Sequence, residues 1–532
     1  MTTRKKISIT LLASGMLTSA WLATGYVIQE RWRQITVSHE TTFALGPLRE
    51  DGTVDYVGAL NARCSAELTP ANNAALVLLR ATGTSGFMAP KYQEVWLQRL
   101  GAEKLPEEGE YYVDFQEFMK ARAGKAKDAD EEETRREEWI EREESRRNSI
   151  WAEKDDPDVA AWIKRNEMPL KWATEASRYE RFYAPLVGNQ KLETVLEANP
   201  GALGKYRGLA NVLMARAMMH LGAGDTADYR NDLTATARLG LLVMQGPMVL
   251  HRLVGRAMME EAYCGVGPAL GGQMTFDDCR LLLDALRVLK PMPEMVEAVD
   301  QAERFTMLDM LTQLARFGPG IWDAQGEELG GPQRQGLGYS LVPVKFDDVL
   351  REYNTLWDRE ASAARKPTYA ERNKALQEVG HLRDAISARA TKRWDGLRKA
   401  LDMLVEFKAD FSRTYALHDQ ARMRKNLAEL GLLLEIYRAA HGDYPNTLDM
   451  LPQDQVRGAD EDFFSAKKMV YRREGKGYVL YSVGINARDD GGHELPRNPR
   501  RLPGGPGGGW TVPPGHEKPE YPDDLVLRVS LK

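Results

Sequence analysis

The sequence has few cysteines and no strong excess of charge of either sign. Only 3 of its 532 residues are cysteine, and none stands in a CxxC pair, which excludes a thioredoxin motif and a cysteine zinc site. The net charge of −5 and the pI near 6.0 give the chain no general attraction to nucleic acid or anionic lipid. No basic stripe with interleaved aromatic residues occurs, so we expect no nucleic-acid partner.

Familiar catalytic motifs are missing as well. The chain contains no HExxH, GxSxG, GxxxxGK[ST] or EF-hand pattern. His220 and His251 lie on apolar helical segments, which is typical of core histidines rather than ligands. His418 and Asp419 would form an acid–base pair only beside a nucleophile that the sequence does not identify. We therefore predict that the protein is not an enzyme; a hydrolase with dispersed catalytic residues is an alternative.

The longest uncharged apolar run lies at the N-terminus. Residues 7–28, ISITLLASGMLTSAWLATGYVI, would rise about 33 Å as a helix, enough to cross the core of a bilayer. Arg4, Lys5 and Lys6 precede the run, and this bias predicts a cytoplasmic N-terminus with the rest of the chain exported. An uncleaved anchor is the prediction, and cleavage after Thr18-Ser19-Ala20 is the alternative.

The cysteines leave two readings open. Cys264 and Cys279 flank a glycine-rich turn, so an oxidising compartment could join them and leave Cys64 over. Three buried thiols without any disulfide agree equally well with the sequence.

Between about residues 71 and 289 the apolar residues recur at helical spacing. Segment 206–246 predicts two helices around a Gly-Ala-Gly-Asp turn, with Asp225 as the N-cap of the second, and it resembles a tetratricopeptide unit. The period of about 34 residues does not repeat, which favours an irregular helical array. Segment 127–147 contains acid–base pairs four residues apart, among them Glu131–Arg135 and Glu138–Arg142. They predict a solvated helix, with a docking surface for a basic partner as the alternative.

The last part of the chain changes its period. Leucines spaced by three and four residues predict a helix that ends before Gly442, and two alternating segments, 469–473 and 477–483, predict a β-hairpin. Residues 525–529 predict a third strand. The interval 494–522 holds eight prolines and six glycines, which predicts a disordered surface loop.

These patterns together predict a mainly α fold with a small C-terminal α+β tail and one N-terminal transmembrane helix. The predicted regions are a membrane anchor (1–33), an α-helical body (34–317), a Gly/Pro-rich linker (318–345), a helical segment (346–410) and the tail (411–532).

The order of motifs in the tail resembles a known family. A helix, HGDYPNTLDML, a hairpin ending in YSVG, an Asp/Gly loop and a last strand occur in the same order in the C-terminal part of type II secretion major pseudopilins. The resemblance covers about the last hundred residues. The body, with NAALVLLRA, EASRYERFYAPLV, ARAMMHLGAGD and QGPMVLHRLVGRAM, is similar to a large family of uncharacterised membrane-anchored bacterial envelope proteins, which implies no known activity.

The pseudopilin resemblance implies calcium in the loop after the hairpin. The implied ligands are Asp489, Asp490, Asp523 and Asp524 together with backbone oxygens, a donor set that suits calcium. Asn486 stands where that family usually has Asp, and the long insertion separates the two pairs of aspartates. A plain solvated turn is the alternative.

The resulting functional prediction is a membrane-anchored envelope scaffold or protein-interaction protein. It would be a single-pass protein of the bacterial inner membrane with its bulk on the periplasmic side, and its partners would be the membrane and other envelope proteins. An accessory component of a type II secretion or pilus-like machine is the alternative that the tail suggests.

Overall fold

The structure is a computed structural model, which describes residues 34–86, 89–188, 193–198, 200–317, 345–390, 411–493 and 523–531. The predicted anchor (7–28), most of the predicted linker and the predicted loop 494–522 lie outside the described residues. Within the described part, no helix is both long enough and apolar enough to cross a membrane.

The described chain is mainly helical with a small C-terminal sheet, as the sequence predicts. The helices before residue 318 are α1 (Tyr56–Ser65), α2 (Ala74–Thr82), α3 (Pro90–Leu100), α4 (Phe115–Arg122), α5 (Ala129–Asn148), α6 (Pro157–Arg165), α7 (Glu167–Ala176), α8 (Leu203–Gly222), α9 (Thr226–Val243), α10 (Val249–Cys264), α11 (Phe276–Arg287), α12 (Met295–Ala298) and α13 (Arg304–Phe317). A π-helical turn, Val299–Glu303, joins the last two. The later helices are α14 (Phe346–Ala364), α15 (Tyr369–Ala390), α16 (Ser412–His441) and α17 (Gln453–Val456).

The strands follow in the tail. They are β1 (Glu461–Asp462), β2 (Lys467–Lys468), β3 (Val470–Glu474), β4 (Gly477–Ser482) and β5 (Leu525–Val529). β1 and β2 pair with each other, while β3, β4 and β5 form an antiparallel sheet in that order. Every residue of the central strand β4 is buried. The predicted hairpin and third strand are therefore confirmed.

Local capping signals were predicted correctly. The Asp225 carboxylate accepts a hydrogen bond from the backbone N–H of Asp228, at 3.0 Å, at the start of α9. Thr275 and Asp278 form the capping box of α11. Helix α16 ends at Gly442, whose φ of 85° lies in the left-handed region that glycine adopts at low cost.

The charged helix α5 differs from its prediction in part. Glu131 and Arg135 form the expected ion pair at 2.6 Å. Arg142 instead binds Asp156 and Asp158 at the start of α6. Arg147 pairs with Glu261 of α10 at 2.8 Å, so one face of α5 is docked on the body rather than solvated. Arg147 also keeps the local pair with Glu143, at 3.7 Å, so the distant partners replace the local one at Arg142 and add to it at Arg147.

Two hydrophobic cores hold the described chain together. One contains apolar residues of α2 to α11 and also of α16 and the sheet. The other joins α1 to α12, α13, α14 and α15. The predicted division into five regions is not tested by these contacts and stays a prediction. Cys64, Cys264 and Cys279, all within the described part, are free thiols in the structure; Cys279 is buried, and Cys64 and Cys264 are partly exposed.

Candidate functional site

The predicted ion site lies where β4 ends and β5 begins. Ser482, the last residue of β4, is paired with Leu525, the first residue of β5, so the loop after β4 faces the residues before β5. Gly484, with φ of 70°, passes so close to the backbone carbonyl of Asp523 that a side chain would collide with it. The strand pairing thus brings Asp523 and Asp524 to the loop despite the long insertion.

Asp462 fixes the end of β4. Its buried carboxylate accepts hydrogen bonds from the Ser482 hydroxyl and from the Val483 backbone N–H, both at 2.9 Å. The sequence analysis missed this residue because its partners lie 20 residues away and β1 is too short to show a strand pattern.

Asp524 holds the loop through its carboxylate. It accepts hydrogen bonds from the backbone N–H groups of Gly492 at 2.8 Å, His493 at 3.3 Å and Asp490 at 3.4 Å. Burial of this carboxylate raises the pKa of Asp524. Asp524 is therefore first of all a clamp that satisfies three backbone donors of the loop.

The side chains of Asp490 and Asp523 both accept hydrogen bonds from backbone N–H groups of the same loop region. The Asp490 carboxylate accepts from the backbone N–H of Asp523 at 3.0 Å and from the side-chain amide of Asn486 at 2.9 Å. One oxygen of Asp523 accepts from the backbone N–H of Asn486 at 3.1 Å. The Asn486 side chain therefore donates to a carboxylate of this loop. An aspartate at this position would instead repel the neighbouring carboxylates.

The second oxygen of Asp523 is buried, and it accepts no hydrogen bond from the described residues. Burial raises the pKa of Asp523 to about 6, and the charges of Asp490 and Asp524 add to the effect. An acceptor without a donor, beside two further carboxylates, is an unfavourable arrangement that a proton or a cation would relieve.

Asp489 points elsewhere. Its carboxylate accepts hydrogen bonds from the Tyr481 hydroxyl at 2.8 Å and from the Gly491 backbone N–H at 2.9 Å. Burial and this carboxylate raise the pKa of Tyr481 to about 12. The structure thus brings Asp490, Asp523 and Asp524 into one network and fastens Asp489 to β4.

Some features of this loop suit calcium and others do not. The donors are oxygens, and one of them is buried without a partner, as a hard cation requires. Against this, backbone N–H groups already occupy several of the carboxylate oxygens. Asp523 and Asp490 are the residues that would hold the ion, together with loop carbonyls.

A second group of ligand-type residues lies at the turn between α8 and α9. His220, Asp225 and Asp228 place one ligand atom each within 4.8 Å of one another, and among the residues that the structure describes no other group does so. His220 is half-buried rather than part of the core, while His251 is fully buried as predicted. Asp225 and Asp228 are exposed residues of the first turn of α9, where carboxylates are common without a metal.

His418 and Asp419 do not form an acid–base pair. Asp419 instead makes ion pairs with Arg372 of α15 and, at 3.7 Å, with Arg422 of its own helix. The ring nitrogens of His418 are buried and make no hydrogen bond with any residue that the structure describes. Burial, followed by the positive charges of nearby arginines, lowers the pKa of His418 to about 3.

No protein-family model matches the chain, and neither a curated protein nor a solved structure matches it.

Proposed function

We propose that the chain is a non-catalytic scaffold or protein-interaction protein of the bacterial envelope, held at the inner membrane by residues 7–28. The observation that supports a scaffold best is the way the tail is built into the body. Leu430 and Leu433 of α16 share one core with Leu282 and Leu283 of α11. The next residue of α16, Gly431, lies against Leu527 of β5 and Leu270 of the body, so the sheet packs on the same helix.

We expect this arrangement to hold the surfaces of body and tail in a fixed relation when a partner binds. Ion pairs such as Arg287–Glu429, at 3.2 Å, and the hydrogen bond from the Gly271 N–H to Glu435, at 2.7 Å, add polar links between body and tail. A rigid assembly of helices offers an extended surface whose groups need little ordering when a partner binds.

Co-purification tests the proposal. Full-length protein is captured from native membranes after mild cross-linking, with a variant lacking residues 7–28 as the control. A scaffold should recover defined envelope proteins with the full-length chain. Recovery of no protein beyond the control level would contradict it.

We further propose that the tail is pseudopilin-like and that the helical hairpin α8–α9 is tetratricopeptide-like. The observed order of α16, the hairpin β3–β4, the aspartate loop and β5 supports the first proposal. The same order favours a second candidate function, an accessory component of a type II secretion or pilus-like machine. Recovery of secretion-channel proteins in the co-purification would favour this candidate over a general scaffold.

Calcium binding at the aspartate loop is a separate proposal. It is supported by the buried Asp523 oxygen that lacks a donor. Calcium at about 100 times its Kd should stabilise the folded chain by about 2.7 kcal/mol. Asp523→Asn should abolish the increase in Tm, whereas Asp454→Asn, an exposed aspartate of the same tail, should leave it intact.

Asp523→Asn is a sharper test than a change at Asp524. Asp524 satisfies three backbone N–H groups, so replacing it would loosen the loop whether or not calcium binds. An unchanged melting curve at saturating calcium would refute calcium binding, and it would leave the scaffold proposal standing.

A further inference from the structure

A pocket of about 320 Å³ opens where three helices of the body end. It lies between the residues that follow α7, the last turn of α9 and the residues that follow α11. Its floor is apolar, since Leu241, Leu242 and Leu289 line it and are buried. Pro291 and Pro293 form part of its wall. The volume is at the lower end of the range of ligand pockets, about 300–1,000 Å³, and suits a small ligand.

Two arginines that line the same pocket have no counter-ion among the described residues. Arg178 is exposed and Arg238 is partly exposed, and neither guanidinium group makes an ion pair or a hydrogen bond with a residue in the described ranges. The other charged residues of the lining are already paired, because Lys290 contacts Glu180 at 3.2 Å. The lining therefore carries two positive charges that are not paired with any group in the described part of the chain.

The polar groups beside the arginines are occupied. The side chain of Gln245 donates to the Glu180 carbonyl at 2.9 Å and accepts from the Phe182 N–H at 3.0 Å. The Ser177 hydroxyl donates to the Thr174 carbonyl at 2.7 Å. The guanidinium groups of Arg178 and Arg238 therefore offer donors to a ligand, and the Tyr179 hydroxyl and the remaining N–H groups of Lys290 lie in the same lining.

We propose that this pocket binds a small amphiphilic carboxylate of the fatty-acid type. The carboxylate would accept hydrogen bonds from Arg178 and Arg238, a charge-assisted geometry that arginine favours. The alkyl chain would lie on the leucine floor, where it loses its contact with water. A cation is disfavoured by the charge of the lining, and a purely polar anion would leave the leucines exposed. The proposal does not depend on the scaffold function or on calcium.

Octanoate is the probe, added to the purified full-length protein in a calorimetric titration with the Tm measured in parallel. We expect saturable binding of octanoate and a rise in Tm. Acetate, which lacks the chain, and octyltrimethylammonium, which has the opposite charge, should do neither. Arg178→Gln and Arg238→Gln should each weaken octanoate binding about tenfold, while Arg207→Gln, an exposed arginine outside the pocket, should not.

Two substitutions of Val288 test the role of charge in the pocket without disturbing the core. It lines the pocket and is 76% exposed. Val288→Glu places a like charge at the mouth and should weaken octanoate binding, whereas Val288→Lys should preserve or strengthen it. Equal effects of the two substitutions would contradict the proposed role of charge.

Two results would overturn the proposal. One is the absence of octanoate binding at millimolar concentrations. The other is equal binding by wild type and by the Arg178→Gln/Arg238→Gln double variant. Saturable binding of a short peptide with a leucine C-terminus, without binding of octanoate, would also overturn it and would assign the pocket to a protein partner instead.

Discussion

At the scale of single residues, the burial of an ionisable side chain without a hydrogen-bond partner determines its protonation state. His418 is 3% exposed, and its neighbours include four arginines: Arg252, Arg256, Arg372 and Arg422. A protonated imidazole there would lack solvent and face like charges, so the folded protein holds His418 neutral.

This predicts acid sensitivity at His418. Its pKa is about 3 in the folded chain and about 6.5 when unfolded, so the unfolded state binds the extra proton in between and stability falls as the pH drops through that window. The loss from this one group between pH 8 and pH 5 is about 2 kcal/mol. His418→Met should remove that part of the loss in denaturant titrations at the two pH values.

His381 serves as the control for that measurement. It is exposed on α15, so His381→Gln should leave the difference in stability between pH 8 and pH 5 unchanged. An equal acid loss in His418→Met and wild type would contradict the burial argument.

For Asp523 we expect the opposite dependence of stability on pH when calcium is absent. Its folded pKa of about 6 lies above the ordinary value of 3.8, so its contribution to stability is complete below pH 3.8 and is lost as the pH rises through 6. Asp523→Asn should therefore be more stable than wild type above pH 6 in a chelating buffer. A variant that is less stable than wild type there would show that the ionised carboxylate is favourable in the loop.

At the scale of elements, close backbone approach sets the packing of α9 on α10. A Cβ on Gly240 would lie 2.6 Å from the carbonyl oxygen of Gly255, closer than such atoms come in proteins. Both glycines are buried. Gly222, the last residue of α8, makes a different close approach, because a Cβ there would meet the backbone carbonyl of Trp151.

Gly255→Ala should therefore force the two helices apart. We expect a destabilisation of about 1–3 kcal/mol, measured by chemical denaturation. Gly380→Ala is the matched control, because a Cβ on this glycine of α15 meets no other atom within 4 Å. It should be stabilising by up to about 1 kcal/mol, since alanine favours helix. Similar effects of both substitutions would contradict the packing.

The elements also show what the sequence can predict. The hairpin β3–β4, the N-cap at Asp225 and the end of α16 at Gly442 depend on neighbours in sequence, so local patterns were sufficient to find them. The ion pair of Arg372 with Asp419 and the approach of Gly240 to Gly255 join separate helices. No local pattern encodes which helices pack together, so these contacts could not be predicted.

The same limit applies to the aspartate loop. The pseudopilin resemblance implied that four aspartates lie near one another, and the pairing of β4 with β5 brings three of them into one network. The sequence alone could not assign their hydrogen bonds. Whether a carboxylate oxygen meets a backbone N–H or an ion depends on small differences in the backbone dihedral angles of the loop. Asp489 shows this limit most clearly, because it was an implied ligand and its carboxylate instead accepts a hydrogen bond from the Tyr481 hydroxyl.

At the scale of the whole molecule, the body and the tail share one hydrophobic core. Leu282 and Leu286 of α11 are buried in the same core as Leu430 and Leu434 of α16. Separating the two parts would expose these leucines at a cost of about 1.5–3 kcal/mol for each. We therefore expect far-ultraviolet circular dichroism and the fluorescence of tryptophans in the body to report one common unfolding transition for body and tail.

A tail variant tests this coupling. Leu430→Ala should lower the midpoint reported by probes in both parts, because it leaves a cavity in their common core, at a cost of about 2–5 kcal/mol. Two separate transitions, with the body unaffected by the variant, would contradict the shared core.

The proposal of an exported scaffold depends on where the folded chain lies. Protease added to intact spheroplasts measures this most directly, with a cytoplasmic protein followed as the control for lysis. We predict that the protease digests the chain while the cytoplasmic protein survives. A chain that stays intact until the cells are lysed would contradict the membrane-anchored, exported arrangement.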